Sequence, residues 1–194
     1  QEVTFRDHSP RPKYVLEETL YRWDSPRQTM LGFQEETRVV TSALRPQVKE
    51  KVDFPLRNLP ADVIKYTQFT SNINANRDIR QMASELATGV DDLYELEYRI
   101  AKWVDDNIDY NLSTLTSEVN EPSTWVYENR YGVCDEITNL FISFNRALGV
   151  PARFVSGVAY TDALESDNMW GNHGWAEVYF PGTGWVPFDI AYHQ

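Results

Sequence analysis

Cysteine is almost absent. The chain carries one, Cys134, so no disulfide can form within it and redox compartment cannot be read from pairing. Long apolar runs are missing as well: no uninterrupted stretch approaches the ~20 residues of a membrane-spanning helix, and no membrane segment is read in this chain. Positive charge is in short supply. The 18 Lys and Arg face 29 Asp and Glu, and a net charge of −11 argues against nucleic acid or an anionic bilayer as partner, since both would be repelled. His8, among Ser9, Pro10 and Pro12, has no nearby Cys, His or clustered carboxylates and reads as an exposed loop histidine. The acidic loop of Asp162, Glu165, Ser166, Asp167 and Asn168 lacks the spacing of an EF-hand and reads as solvated, so no metal site is assigned. The chain starts at Gln1 rather than Met and shows no secretory signal, which reads as a processed product or a piece of a longer protein.

What is present suffices for one core and a smaller appendage: 42% of the 194 residues are hydrophobic and 13% aromatic. Residues 14–22 and 35–44 alternate loosely between polar and β-branched or aromatic types, as half-buried strands do. Val48, Val52, Phe54 and Leu56 offer another strand, and prolines punctuate the whole region. Residues 1–75 are therefore read as a β-rich N-terminal extension, bounded by the turn-rich Ser71-Asn72-Ile73-Asn74-Ala75-Asn76, and residues 76–194 as the core. The core opens with two amphipathic helices. Ile79, Met82, Ala83 and Leu86 form the apolar face of the first, and Leu93, Leu96, Ile100, Trp103 and Val104 that of the second, behind the acids Asp91 and Asp92.

The most informative stretch is Tyr131-Gly132-Val133-Cys134-Asp135-Glu136. It opens a helix whose apolar residues recur at Ile137, Leu140, Phe141, Phe144 and Leu148, and which stops at Gly149 and Pro151. The one cysteine thus falls at a helix N-terminus, where free N–H groups and the helix dipole favour a thiolate. Asp135 and Glu136 oppose this unless their side chains point to water. Trp125, upstream, is either a wall of the site or a donor to a reacting carbonyl.

After the helix, residues 153–160 read as a strand. His173-Gly174-Trp175-Ala176-Glu177-Val178-Tyr179-Phe180 reads as a second strand, with His173, Trp175, Glu177 and Tyr179 on one face. Pro181-Gly182-Thr183-Gly184 turns the chain into a third strand ending at Asp189. Register makes a demand here: Asp189 reaches the face of His173 only across an odd-length loop. A three-residue loop, Pro181 to Thr183, sets Asp189 opposite Trp175 and diagonal to His173. Cysteine on a helix, with histidine and aspartate on consecutive strands, supplies nucleophile, base and orienter.

The four segments Tyr131-Gly132-Val133-Cys134, residues 148–157, residues 173–178 and Gly184-Trp185-Val186-Pro187-Phe188-Asp189 together resemble the transglutaminase-core superfamily, above all its prokaryotic and archaeal members described as cysteine proteases. The resemblance runs from about residue 78 to 189. It implies an α+β, papain-like fold in which the cysteine helix packs on an antiparallel sheet bearing the other two residues. It also implies catalytic roles for Cys134, His173 and Asp189, with Trp125 and Trp175 as oxyanion donor or substrate wall. The implied activity is thiol-dependent acyl transfer on protein or peptide amides, leaning to hydrolysis. Protein crosslinking and a non-catalytic binding module are the alternatives. No cofactor is required, calcium enters only by analogy with some relatives, and a cell-surface location as part of a longer protein is the expectation. The family's Asp-Pro-Thr after the last strand is here Asp189-Ile190-Ala191.

Overall fold

The computed structural model describes residues 13–15, 18–20, 46–113, 120–160 and 170–192. His8, the stretch 35–44 and the acidic loop 162–168 lie outside them. The chain divides into two compact units, residues 1–44 and 45–194. The first holds an antiparallel pair, β1 (Lys13–Val15) and β2 (Glu18–Leu20), with Tyr14 opposite Thr19.

The second unit begins with a segment that sequence periodicity misreads. Val48, Val52, Phe54 and Leu56 do pack against the core, but they form no strand. The segment meets the rest of its unit through an isolated bridge between Asp53 and Asp92, in which Leu93 N–H donates to Val52 O at 2.8 Å and Phe54 N–H to Asp91 O at 3.1 Å. Pro55 and the prolines after it deny the segment a ladder of donors, so burial of four apolar side chains holds it in place of sheet pairing.

A short helix, α1 (Ala61–Ile64), runs into a 3₁₀ turn at Lys65–Thr67. Helix α2 (Arg77–Leu86) is capped by Asn76, whose Oδ1 accepts from Ile79 N–H at 3.0 Å. Helix α3 (Leu93–Asn107) is capped by Asp92, whose Oδ1 accepts from Tyr94 N–H at 2.9 Å. A two-residue strand β3 (Asp109–Tyr110) follows, then α4 (Ser123–Asn129), β4 (Tyr131–Gly132) and α5 (Cys134–Ala147). β3 and β4 pair in parallel, Tyr110 with Gly132. The chain closes with β5 (Ala152–Tyr160), β6 (Trp170–Phe180) and β7 (Gly184–Phe188), an antiparallel sheet with β6 in the middle.

Helix α5 is the axis of this unit. Residues 136–146 are all buried, because α2, α3 and α4 pack on one side and β5 and β6 on the other. Its polar residues bind the polar loop 71–76 in place of water. Ser143 Oγ donates to Asn74 O at 2.6 Å, and Ser123 Oγ of α4 bonds both Asn72 O at 3.0 Å and Asn139 O at 2.9 Å. Arg146, buried without a carboxylate partner, gives its donors to the carbonyls of Ala152 and Gln68. Among the described residues no helix is long and apolar enough to cross a membrane.

One core group carries no compensation. Glu97 of α3 is fully buried, and both carboxyl oxygens lack a hydrogen-bond partner, as does Asn145 Oδ1 opposite on α5. Burial pushes the Glu97 carboxyl from the usual 4.5 up to about 8, outweighing the opposite influence of the Asn145 side chain. A proton held when folded and released when unfolded gives stability that is fully present below about pH 4.5 and lost as pH rises through about 8. Glu97→Gln is therefore expected to melt about 5 °C or more above the native protein at pH 8 and with little difference at pH 4.5, by thermal denaturation. A gap that does not widen with pH overturns this.

Candidate active site

At the open end of β6 the candidates His173, Asp189 and Trp175 come together, and Cys134 docks on the neighbouring Gly174. The last pairing of β6 with β7 is Ala176 with Phe188, so beyond Ala176 one edge of β6 has no neighbouring strand. The first turn of α5 takes that edge. Gly174 N–H bonds the Cys134 sulfur, and Thr138 Oγ1 donates to Gly174 O at 3.2 Å. An N–H and C=O of one strand residue point to the same side, so both helix contacts stand where a strand's would. Cys134 is thereby joined to the residue next to His173. Glycine at 174 is required by space: a Cβ would lie 2.3 Å from the Phe154 ring and 2.6 Å from Asp135 Oδ1.

The β6–β7 connection has the odd length that the register demands. Phe180 pairs with Gly184, leaving Pro181, Gly182 and Thr183 as the loop, and Thr183 N–H closes the turn on Phe180 O at 3.0 Å. Gly182 (φ +83°) and Gly184 (φ +97°) both occupy backbone space that L side chains rarely adopt. Counting on from Ala176 and Phe188 sets Asp189 opposite Trp175. His173 Nε2 lies 2.7 Å from Asp189 Oδ2. The imidazole is 7% exposed, and Asp189 Oδ1 is buried with no hydrogen-bond partner.

Aromatic rings enclose the imidazole. Trp175 stacks beside it at 6.0 Å and lies over Gly157, where a Cβ would come within 2.7 Å of the indole. Tyr192 meets it edge-on at 4.8 Å. Trp125 is placed elsewhere: its ring meets Tyr131 edge-on at 5.1 Å and packs against the core. Tyr179 and Trp185 also have structural surroundings, Trp185 lying between Tyr66 at 5.0 Å and the Arg153 guanidinium at 4.2 Å.

Tyr110 and Tyr192 escape sequence reading. The Tyr110 phenol oxygen takes a hydrogen bond from Cys134 N–H, and burial, followed by the charges of Cys134, Tyr192 and Asp135, pushes the phenol above its ordinary range. The β3–β4 pairing brings Tyr110 there, a two-residue register without a periodic signal.

The two acids after the cysteine behave differently. Glu136 folds back over Gly132, its Oε2 accepting from Val133 N–H at 2.9 Å and its Oε1 from Glu121 N–H at 3.2 Å. Its charge is spent on the helix start in the manner of half a capping box. Asp135 is half-buried, and its Oδ1 lies 3.5 Å from Cys134 Sγ as acceptor of the thiol. The sequence expectation of a lowered thiol is therefore corrected for the resting protein. Burial pushes the Cys134 thiol up, the Gly174 N–H pulls it down, and the Asp135 charge and acceptor push it up further. Among the described residues no group of three His, Cys, Asp or Glu could hold a metal ion.

Comparison with known proteins gives the family and the fold. The sequence pattern described as the transglutaminase-like superfamily matches residues 80–190. The chain is 27% identical over 124 residues to YebA of Bacillus subtilis, itself uncharacterised, covering 57% of this chain and 17% of that protein. It is 34% identical over 77 residues to an uncharacterised Haemophilus influenzae protein, covering 31% of this chain and 21% of the relative. The chain thus spans about a fifth of the curated relatives it matches. Among solved structures it is similar to a candidate cysteine protease from Cytophaga hutchinsonii, with TM-score 0.60, 24% identity, and 74% of this chain and 46% of that one covered. It is also similar to the periplasmic domain of TgpA from Pseudomonas aeruginosa, with TM-score 0.55, 20% identity, and 69% and 48% covered.

Because iodoacetamide reports on one thiol here, the resting state is open to direct test. The alkylation rate is expected to rise with pH through a midpoint above the ~8.5 of a free cysteine. A midpoint below 7 would overturn the resting geometry. Gly174→Ala is expected to lower the melting temperature and to change Cys134 reactivity, since overpacking costs ~1–3 kcal/mol and displaces Asp135. Unchanged alkylation in that variant would sink the claim.

Proposed function

As a member of the transglutaminase-like superfamily, to which the chain belongs, this protein is, we propose, a thiol acyl-transfer enzyme that acts on peptide amides through Cys134, His173 and Asp189, with water as the usual acceptor. The observation that carries the reading is the 2.7 Å contact between His173 Nε2 and Asp189 Oδ2 in a buried imidazole adjoining the cysteine's docking residue. With Nε2–H donated to Asp189, Nδ1 is the free nitrogen, and its lone pair takes the proton of the Cys134 thiol. The thiolate attacks the amide carbonyl, and the new C–S bond pushes the carbonyl π electrons onto oxygen. Cys134 N–H, at the first position of α5 and bonded to the Tyr110 phenol in the resting protein, turns from that phenol to the developing oxyanion, reinforced by the helix dipole. Collapse expels the amine, which leaves with the proton from His173. Water then loses a proton to His173 as it attacks the thioester, and the thiol returns.

Hydrolysis is favoured over transamidation by the openness of the site. Cys134 is half-buried, and Tyr110 and Tyr192 near it are 53% and 39% exposed. A thioester that must wait for an amine needs stronger exclusion of water than that.

The test is cleavage of a mixed peptide library followed by mass spectrometry. Cys134→Ala is expected to abolish cleavage, His173→Ala to lower kcat/KM by at least ~10³, and Asp189→Asn by ~10²–10⁴, each in a protein that keeps its circular dichroism. Cleavage that survives Cys134→Ala removes the thiol mechanism.

A further inference from the structure

The acyl-transfer chemistry above uses neither Asp135 nor the cavity that it fronts. That cavity, of about 290 Å³, lies beside the nucleophile and is lined by Thr70, Ser71, Asn72, Asn120, Asn139 and Asp135, with Ile73 and Phe154 as its apolar part. Asp135 is the only ionisable group among these lining residues. The neutral groups are held in place by the fold. Asn139 is 5% exposed, and its Nδ2 donates to Asn120 Oδ1 at 3.3 Å, which leaves Asn139 Oδ1 as an acceptor. Thr70 and Ile73 bond each other's backbone and side chain at 2.9 and 3.1 Å, and Asn72 O is held by Ser123. One carboxylate among amide and hydroxyl oxygens complements a small cation with several N–H donors and repels a carboxylate.

The same carboxylate restrains the nucleophile. Asp135 Oδ1 accepts the thiol at 3.5 Å, so the S–H that His173 must take is directed toward the wrong acceptor. Among the described residues, the other charged and titratable groups around the sulfur are otherwise engaged. Glu136 is bound to Val133 and Glu121 N–H, Asp189 to His173, and the Tyr110 phenol to Cys134 N–H; Tyr192 stands edge-on to His173. Asp135 is thus the group that an incoming cation can reach and whose neutralisation alters the thiol.

We propose that Asp135 is a specificity-determining residue that binds a protonated amine carried by the substrate peptide next to the scissile amide, and that this pairing frees the Cys134 S–H from its carboxylate acceptor. The substrate class is then a peptide with a free α-ammonium group or a lysine beside the bond. The identity of the cation as substrate rests on the acyl-transfer reading; the ammonium pocket itself does not.

The experiment measures iodoacetamide alkylation of Cys134 at pH 7.5 with n-butylammonium chloride, with n-butanol, and with potassium chloride at matched ionic strength. Butylammonium is expected to raise the rate several-fold and the other two to leave it unchanged. Asp135→Asn is expected to alkylate faster than the native protein without additive and to lose the response to the amine. If that variant does not fold, amine against alcohol on the native protein decides alone. Equal effects of butylammonium and butanol, or a response retained in folded Asp135→Asn, overturn the proposal. On peptides, acetylating the amine is expected to cost the native protein about tenfold in kcat/KM, about 1.4 kcal/mol, and Asp135→Asn nothing. An amine-dependent alkylation rate without amide cleavage would keep the pocket and remove the acyl-transfer reading, whereas cleavage indifferent to acetylation would do the reverse.

Discussion

The site depends on a helix replacing a strand at the end of a sheet. β7 stops at Phe188, and the edge of β6 it leaves uncovered is satisfied by Cys134 and Thr138 of α5 through the N–H and C=O of Gly174. An uncovered edge would leave polar backbone groups unpaired at the rim of a core. The same two contacts, from the Cys134 and Thr138 side chains to the Gly174 backbone, fix the height of the helix along the strand and join the cysteine to the residue next to His173. The arrangement requires Gly174, because Asp135 Oδ1 and the Phe154 ring occupy the space a Cβ would need.

That docking also resolves a conflict in β6. Gly174, Ala176, Val178 and Phe180 face the core, and His173 belongs to the alternate set with Trp175, Glu177 and Tyr179. A histidine on the outer face would ordinarily lie in water. Here Trp175, Tyr192 and Asp189 cover it. Farther along the same face, Glu177 pairs with Arg153 at 2.6 Å, and Arg153 lies over Trp185. The outer face therefore carries the buried His173–Asp189 pair at one end and packing at the other. A list of its aromatics cannot separate the two uses, which explains why Trp175 stands at the site and Trp185 does not.

Much of this is legible in the sequence, for a definite reason. The apolar stripe of α5, the glycine stop after it and the alternation in β6 are local periodicities. The odd-length loop follows from requiring Asp189 to share a face with His173. What escapes is decided by contacts between segments distant in the chain. Tyr110 reaches Cys134 through a two-residue parallel pairing, Asn120 and Asn139 meet across the α4–α5 connection, and residues 48–56 bury apolar side chains without forming a strand. The direction of the thiol is of this kind as well. Helix position argues for a thiolate and the two following acids against it; the fold adds burial and sets Asp135, but not Glu136, against the thiol.

Asp135 and Glu136 illustrate how little residue type says about charge. Both are acids in the first turn of one helix, where the dipole welcomes negative charge. Glu136 has one more methylene, reaches back over Gly132 and gives both oxygens to backbone N–H groups, so its charge stabilises the helix start. Asp135 is too short for that turn and points its carboxylate at the thiol. A carboxylate satisfied by backbone donors holds the helix start, while one that accepts the S–H of a neighbouring thiol disfavours the thiolate. The difference of one carbon therefore separates a capping carboxylate from one that faces the cysteine, and it does so without changing the net charge of the turn.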